Sequence, residues 1–225
     1  MNSLAIKLSV LVLLVVLGGL LYGGLLVDER ASAALDPKRE RMLSQFALFA
    51  NTRPQVVFVG DSITEQGMWQ ELFPGLSIAN RGMGSDTTQG LIDRMEGIVS
   101  LRPAKLFIQI GVNDLNLGMA PEVPIANYAE LFDRIDLALP DTQVYLQSIL
   151  PVNDDWALID NTHVPTLNAA LQAQATRRGY TYIDLHSVMA DGAGKLRKDF
   201  TNDGIHLLGP AYRVWREEIA GYVYE

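Results

Sequence analysis

From Arg53-Pro54 onward, short apolar runs alternate with stretches of helical periodicity. The runs are Val56–Val59, Leu76–Ala79, Leu106–Ile110, Val144–Leu150 and Tyr180–Ile183. They are rich in β-branched residues and nearly free of polar interruption, the pattern of strands buried on both faces. Asp86-Thr87-Thr88-Gln89 offers a capping box in its Asp/Gln form, after which Leu91, Ile92, Met95, Ile98 and Val99 mark one helical face. Ile125, Tyr128, Phe132, Ile135 and Leu139 mark a second face, and Leu167, Leu171 and Ala175 a third that Gly179 can terminate. A last helix begins near Pro210 and presents Tyr212, Trp215, Ile219 and Tyr222. Such alternation predicts right-handed βαβ crossovers and a three-layer α/β/α domain with a five-stranded parallel sheet. Open parallel sheets bind ligands beyond the carboxyl ends of their strands. Gly60-Asp61-Ser62, Asn80-Arg81-Gly82 and Gly111-Val112-Asn113-Asp114 all follow predicted strands, so the pattern gathers them on one edge.

The amino-terminal part reads differently. Leu8 to Val27 carries no charge and is dominated by Leu, Val and Gly. Its length matches the ~20 residues a helix needs to cross a bilayer, whereas a signal peptide's apolar core is nearer ~7–15. The expectation is an uncleaved single-pass anchor over residues 1–27. A cleaved signal is the alternative, since Ala31-Ser32-Ala33 resembles a cleavage site, although Asp28-Glu29-Arg30 intervenes. Lys7 before the span favours an exported domain, periplasmic in a bacterium and secreted if the segment is cleaved. Arg30, Lys38, Arg39 and Arg41 after it pull the other way. Residues 28–53 form a linker and a leading helix that Asp36-Pro37 can start, with Met42, Leu43, Phe46 and Phe49 at helical spacing. That helix is expected to pack on the domain or to lie on a membrane surface. Residues 54–225 form the globular domain, large enough for a full core.

Composition narrows the chemistry. The net charge of −8 argues against a nucleic-acid partner, which needs a basic patch. The chain has no cysteine, which removes disulfides, thiolate metal sites and cysteine nucleophiles.

Ser62 stands on the turn after the first strand, where a side chain is held out of the sheet. A serine hydroxyl needs a base within hydrogen-bond reach to act as a nucleophile. Three histidines are available, His163, His186 and His206. His206 is the best placed because Asp203, three residues earlier, can reach its Nδ1 and fix the tautomer. Asp184 is the second choice for the acid, with a structural role as its other reading. His186 reads as packed or superficial, and His163 as a pocket-mouth or capping residue. Acyl transfer also needs donors facing an oxyanion. The backbone N–H groups of Ser62 and Gly82 and the side-chain amide of Asn113 are the candidates.

These segments resemble the consensus blocks of the SGNH hydrolases, also called the GDSL esterase/lipase family. Gly60-Asp61-Ser62-Ile63-Thr64 resembles the first block, Asn80 to Thr88 the second, Gly111-Val112-Asn113-Asp114 the third and Asp203-Gly204-Ile205-His206-Leu207 the fifth. The Asn-Arg-Gly form of the second block is most similar to the branch of platelet-activating-factor acetylhydrolase-like and carbohydrate O-acetyl esterases. The resemblance implies a flavodoxin-like fold with strand order 2-1-3-4-5. It implies Ser62, Asp203 and His206 as the triad, and Ser62, Gly82 and Asn113 as the oxyanion hole. It requires neither metal nor cofactor.

The expected reaction is cleavage of a small acyl ester, acetyl above all, on a small molecule, a carbohydrate or a lipid, with no obligate protein partner. Transfer to another alcohol by the same acyl-enzyme, lipase-type hydrolysis, and a flavodoxin-like binding module are the rivals. The module is disfavoured because no G-x-x-x-x-G-K-[ST] run is present. Between Leu150 and Thr162, Trp156 either borders the substrate site or closes the core. Met68, Trp69 and Phe73 are expected in the core.

Overall fold

The computed structural model describes residues 37–156 and 158–225. The expected anchor over 1–27 and the Asp36 cap lie outside the described residues. Among the described residues, no helix is long and apolar enough to cross a membrane. In helix α1 (Pro37–Leu48) no residue is fully buried; Met42, Leu43 and Phe46 are half-buried, and the Arg81 guanidinium lies over the Phe46 ring at 4.8 Å.

Five strands form one sheet in the order β2-β1-β3-β4-β5, every neighbouring pair parallel. They are β1 (Val56–Gly60), β2 (Ile78–Gly82), β3 (Lys105–Gln109), β4 (Gln143–Gln147) and β5 (Thr181–Ile183). All five residues of β1 are buried, so both faces of the sheet are covered there. Phe58, Phe107 and Tyr145 stand in register on adjacent strands and stack across one face, with ring centroids 5.0 and 4.5 Å apart. Trp69 lies flat on Phe58 at 4.1 Å and meets Trp215 edge-on at 4.9 Å. This aromatic layer ties the sheet to α3 (Trp69–Leu72) and to the last helix, α10 (Gly209–Tyr224). Helix α2 (Ser62–Glu65) precedes α3, and between α3 and α10 come α4 (Thr88–Asp93), α5 (Met95–Val99), α6 (Val112–Asn116), α7 (Glu122–Ala138), α8 (His163–Arg178) and α9 (Leu185–Met189).

Several local expectations shift. β2 begins two residues later than its apolar run and carries Asn80, Arg81 and Gly82 inside the strand, because its pairing with β1 continues to Gly60–Gly82. The fourth run stops being a strand at Gln147, and Ser148 to Asn153 continue buried but irregular. The single helix expected from Leu91 to Val99 is broken at Arg94, whose backbone leaves the helical region (φ −107°, ψ 12°). Thr87, not Asp86, caps α4, its hydroxyl accepting from the Gly90 N–H, while Asp86 pairs with Arg94. In α10 the buried face runs Ala211, Trp215, Ile219, Val223, a strict four-residue step that leaves Tyr222 partly exposed. Trp69 and Phe73 are core residues, but Met68 is 65 % exposed. Gly179 terminates α8 in the left-handed conformation (φ 72°), where the absence of a Cβ removes the usual penalty.

Candidate active site

Ser62 is the first residue of α2. Asp61 caps that helix by accepting from the Ile63 N–H at 2.9 Å, and Asp61 is fully buried. Burial pushes the Asp61 carboxyl up to about 7; the Ile63 N–H opposes the shift, and nearby Asp86 and Asp114 add to it. The other side of α2 is held by Asn80. Its amide NH₂ reaches the carbonyls of Thr64, Glu65 and Gly67 at 2.9–3.2 Å. Two further donors add to this grip: Trp69 Nε1, five residues away, donates to Thr64 O, and the Tyr212 hydroxyl, from the last helix, donates to Ile63 O.

Beneath the helix, Arg94 is almost wholly buried. Its guanidinium donates to Asp86 Oδ2 at 2.6 Å, to Arg81 O at 2.9 Å and to Gly60 O at 3.1 Å. One side chain therefore joins the carboxyl ends of β1 and β2. Sequence reasoning missed Asn80, Asp86 and Arg94 as builders of the site. The usable signal was an arginine on the apolar side of the 91–99 pattern, where a charge is buried only with partners.

Gly82 does not stand in a turn. Its N–H donates to Asn80 Oδ1 at 2.8 Å, and a Cβ there would lie 2.1 Å from the Glu65 N. The glycine lets β2 approach α2, and the expected oxyanion donor is already engaged. The turn beyond it, Met83 to Asp86, closes through Asp86 N–H to Met83 O. It docks onto Gly60 O through the Met83 N–H, and its Gly84 N–H bonds the Glu65 carboxylate. Ser85 at its tip is exposed and left-handed (φ 60°), and its N–H has no bonding partner among the described residues. Asn113, in the first turn of α6, donates from Nδ2 to Asp86 O at 2.8 Å, which leaves one amide hydrogen for another acceptor. Its neighbour Asp114 accepts from the Thr88 N–H and hydroxyl; burial raises its carboxyl against those bonds.

The third segment comes from the far end of the chain. Asp203 Oδ1 accepts from the N–H groups of Ile205 and His206, and Asp203 Oδ2 lies 2.6 Å from His206 Nδ1. Burial alone would raise the Asp203 carboxyl, but those two N–H groups and the imidazole outweigh it and hold it at about 2. An ionised carboxylate only accepts, so Nδ1 carries the hydrogen and the Nε2 lone pair is free. Nε2 lies 3.0 Å from Ser62 Oγ, which fits an O–H donated by the serine. The other two histidines stand apart. His186 is half-buried, and burial lowers its pKa. His163 lines a surface cavity with Leu115, Met119 and Leu158. Asp184 caps α9 through Ser187, which is its structural role.

Residues 58–214 match the family described as GDSL-like lipase/acylhydrolase. The chain belongs to that family. This GDSL acylhydrolase is a hydrolase of the SGNH type, and its sheet order is the one that family resemblance implies. It is similar to platelet-activating factor acetylhydrolase IB subunit alpha1 of Bos taurus, at 30 % identity over 104 residues, 44 % of each chain. The hydrolase thus spans less than half the length of that relative. The match to subunit alpha2 of Gallus gallus is longer, 26 % identity over 185 residues, 77 % of this chain and 79 % of that one. Among solved structures, a Streptococcus pneumonia protein described as a platelet activating factor superposes with a TM-score of 0.79 at 26 % identity. The superposition covers 88 % of this chain and 99 % of the other. An acylhydrolase of Bacteroides fragilis gives 0.71 at 25 % identity, covering 82 % and 94 %.

Proposed function

We propose that the protein is a serine esterase that cleaves small acyl esters, acetyl above all, through a Ser62 acyl-enzyme. The observation that carries this reading is the Asp203–His206–Ser62 chain, with contacts of 2.6 and 3.0 Å. Ser62 Oγ attacks the ester carbonyl while His206 Nε2 takes its proton. Asp203 keeps the imidazole in the right tautomer and offsets the charge it gains. The oxyanion is met by the Ser62 N–H at the start of α2, by the free amide hydrogen of Asn113 and by the Ser85 N–H, which replaces Gly82 in that role. His206 then protonates the leaving alcohol. Water, activated by the same imidazole, releases the acid.

The preference for a short acyl group draws its support from the relatives named as acetylhydrolases. A serine-directed organophosphate should label Ser62 stoichiometrically and abolish cleavage of 4-nitrophenyl acetate. Labelling that leaves activity intact rejects the reading.

The same proposal places the domain at a membrane through the apolar segment 8–27, on its extracytoplasmic side. The full chain should then sediment with membranes after an alkaline carbonate wash. Recovery in the soluble fraction rejects the anchor.

A further inference from the structure

Among the described residues, Trp156 is the one aromatic ring found against His206. Their centroids are 6.3 Å apart and their planes nearly perpendicular, at 84°. The indole packs against the edge of the core but stays partly exposed, whereas Trp69 and Trp215 are 1 % and 0 % exposed. Its position is nevertheless fixed at both ends. Indole Nε1 donates to Asn116 Oδ1 at 2.8 Å. Asn116 lies one helical turn beyond Asn113 on α6, so the two share a face. The backbone of Trp156 is fixed by a turn, its N–H donating to Asn153 O, and the Asn153 N–H donates to Gly204 O. Gly204, inside the Asp203–His206 loop, has φ 97°, and a Cβ on it would lie 2.6 Å from the Trp156 nitrogen. The loop carrying the base and the turn carrying the indole are therefore pressed together at a position only glycine allows.

The indole spans from the imidazole to the helix that carries Asn113. In an ester bound for attack by Ser62, the oxygen that receives the proton from His206 is the alcohol oxygen. Whatever that oxygen is attached to must leave past the side of the site that Trp156 occupies. Leu117 and Leu158 flank the bridge in sequence and are 64 % and 71 % exposed.

We propose that Trp156, braced by Asn116, is the specificity-determining wall of the leaving-group site, selecting esters whose alcohol presents a flat or apolar face next to the ester oxygen. This rests on the esterase reading of Ser62. It concerns the alcohol and leaves acyl length to other residues.

The test uses two ester series with the full chain. One holds acetate constant and varies the alcohol through ethyl, benzyl and naphthylmethyl. The other holds the alcohol constant and lengthens the acyl group. Trp156→Ala should raise KM for the aromatic acetates about tenfold, the size of a lost aromatic contact, with little change for ethyl acetate. Its acyl-length profile should match the wild type. Asn116→Ala should shift the same alcohols in the same direction, more weakly. Two results overturn the wall. A uniform fall in kcat for every alcohol would mean that the indole only braces His206. A changed acyl-length profile would put it on the acyl side.

A binding readout separates this inference from the esterase reading. Acrylamide quenches exposed tryptophan, and Trp156 is the accessible one of three. Benzyl alcohol should shield it in the wild type and in Ser62→Ala alike, and absence of shielding overturns the wall. Shielding in a protein that cleaves no ester of either series overturns the esterase reading alone.

Discussion

The two halves of the site are held in opposite ways. Ser62 rides on a four-residue helix held by buried Asp61 and Trp69 and by half-buried Asn80 and Tyr212, with Arg94 fastening the strand ends below. His206 rides on a loop whose side-chain bonds are local, tied to the rest of the domain by the Asn153 N–H to Gly204 O bond and by buried Ile205 and Leu207. Asp203 and Thr201 accept from N–H groups two or three residues away, and the side chains of Asp203 and His206 are 40 % and 29 % exposed. The nucleophile is positioned by the core and the base by a turn. Substitutions on the first side should therefore cost stability as well as activity, and those on the second should cost activity with little loss of stability.

The strongest way to sharpen that contrast is to delete chemistry on each side. Ser62→Ala and Asp203→Asn should each lower kcat by ~10⁴-fold, the first by removing the nucleophile, the second by leaving the wrong tautomer. Steady-state kinetics with a chromogenic acetate reads the loss, and a cooperative urea transition in each variant shows that the fold persists. A milder chemical loss is expected from Asn113→Ala, ~10²-fold in kcat with KM nearly constant; a pure KM effect would remove it from the oxyanion site. Arg94→Met tests the other side of the contrast. It leaves Asp86 buried without its partner and should cost about 3–5 kcal/mol in urea unfolding. A cost near zero would show that the core does not hold the nucleophile.

The smallest effect is in pH dependence. Asp61, raised from its ordinary 3.8 to about 7, binds its proton more tightly in the folded state. Stability from this group is complete below about pH 4 and declines as pH rises toward about 7. Asp203, depressed to about 2, acts in reverse: its contribution is present above pH 3.8 and is lost as pH falls toward 2. Asp61→Asn should flatten the slope between pH 4 and 7, measured by urea midpoints, and leave the acid limb to Asp203.

How much of this was legible in the sequence follows from the same division. The base side was readable because its geometry is local: three residues separate Asp203 from His206, and one loop brings them into contact. The five strands and their order followed from apolar runs and the family blocks. The nucleophile's supports were not readable, because they are long-range. Arg94 lies on the apolar side of a pattern that reads as one amphipathic helix, which signals burial with partners but does not name two strand ends as those partners. Gly82 misled for a related reason. A glycine admits either a ligand to its N–H or a neighbouring backbone to its Cα, and the bond to Asn80 and the closeness of Glu65 select the second. Trp156 stayed ambiguous until its partners on α6 and on the His206 loop were visible.

The link from Ser62 Oγ to His206 Nε2 joins residues 144 apart in the chain, and at the His206 end the two functional side chains are the half-exposed members of a loop otherwise anchored by Ile205 and Leu207. Warming should free that loop before the aromatic layer yields. Turnover would then fall at a temperature where near-ultraviolet dichroism is still native, and it would return at once on cooling. Stiffening residues 201–207 should then extend the range of activity further than strengthening the core.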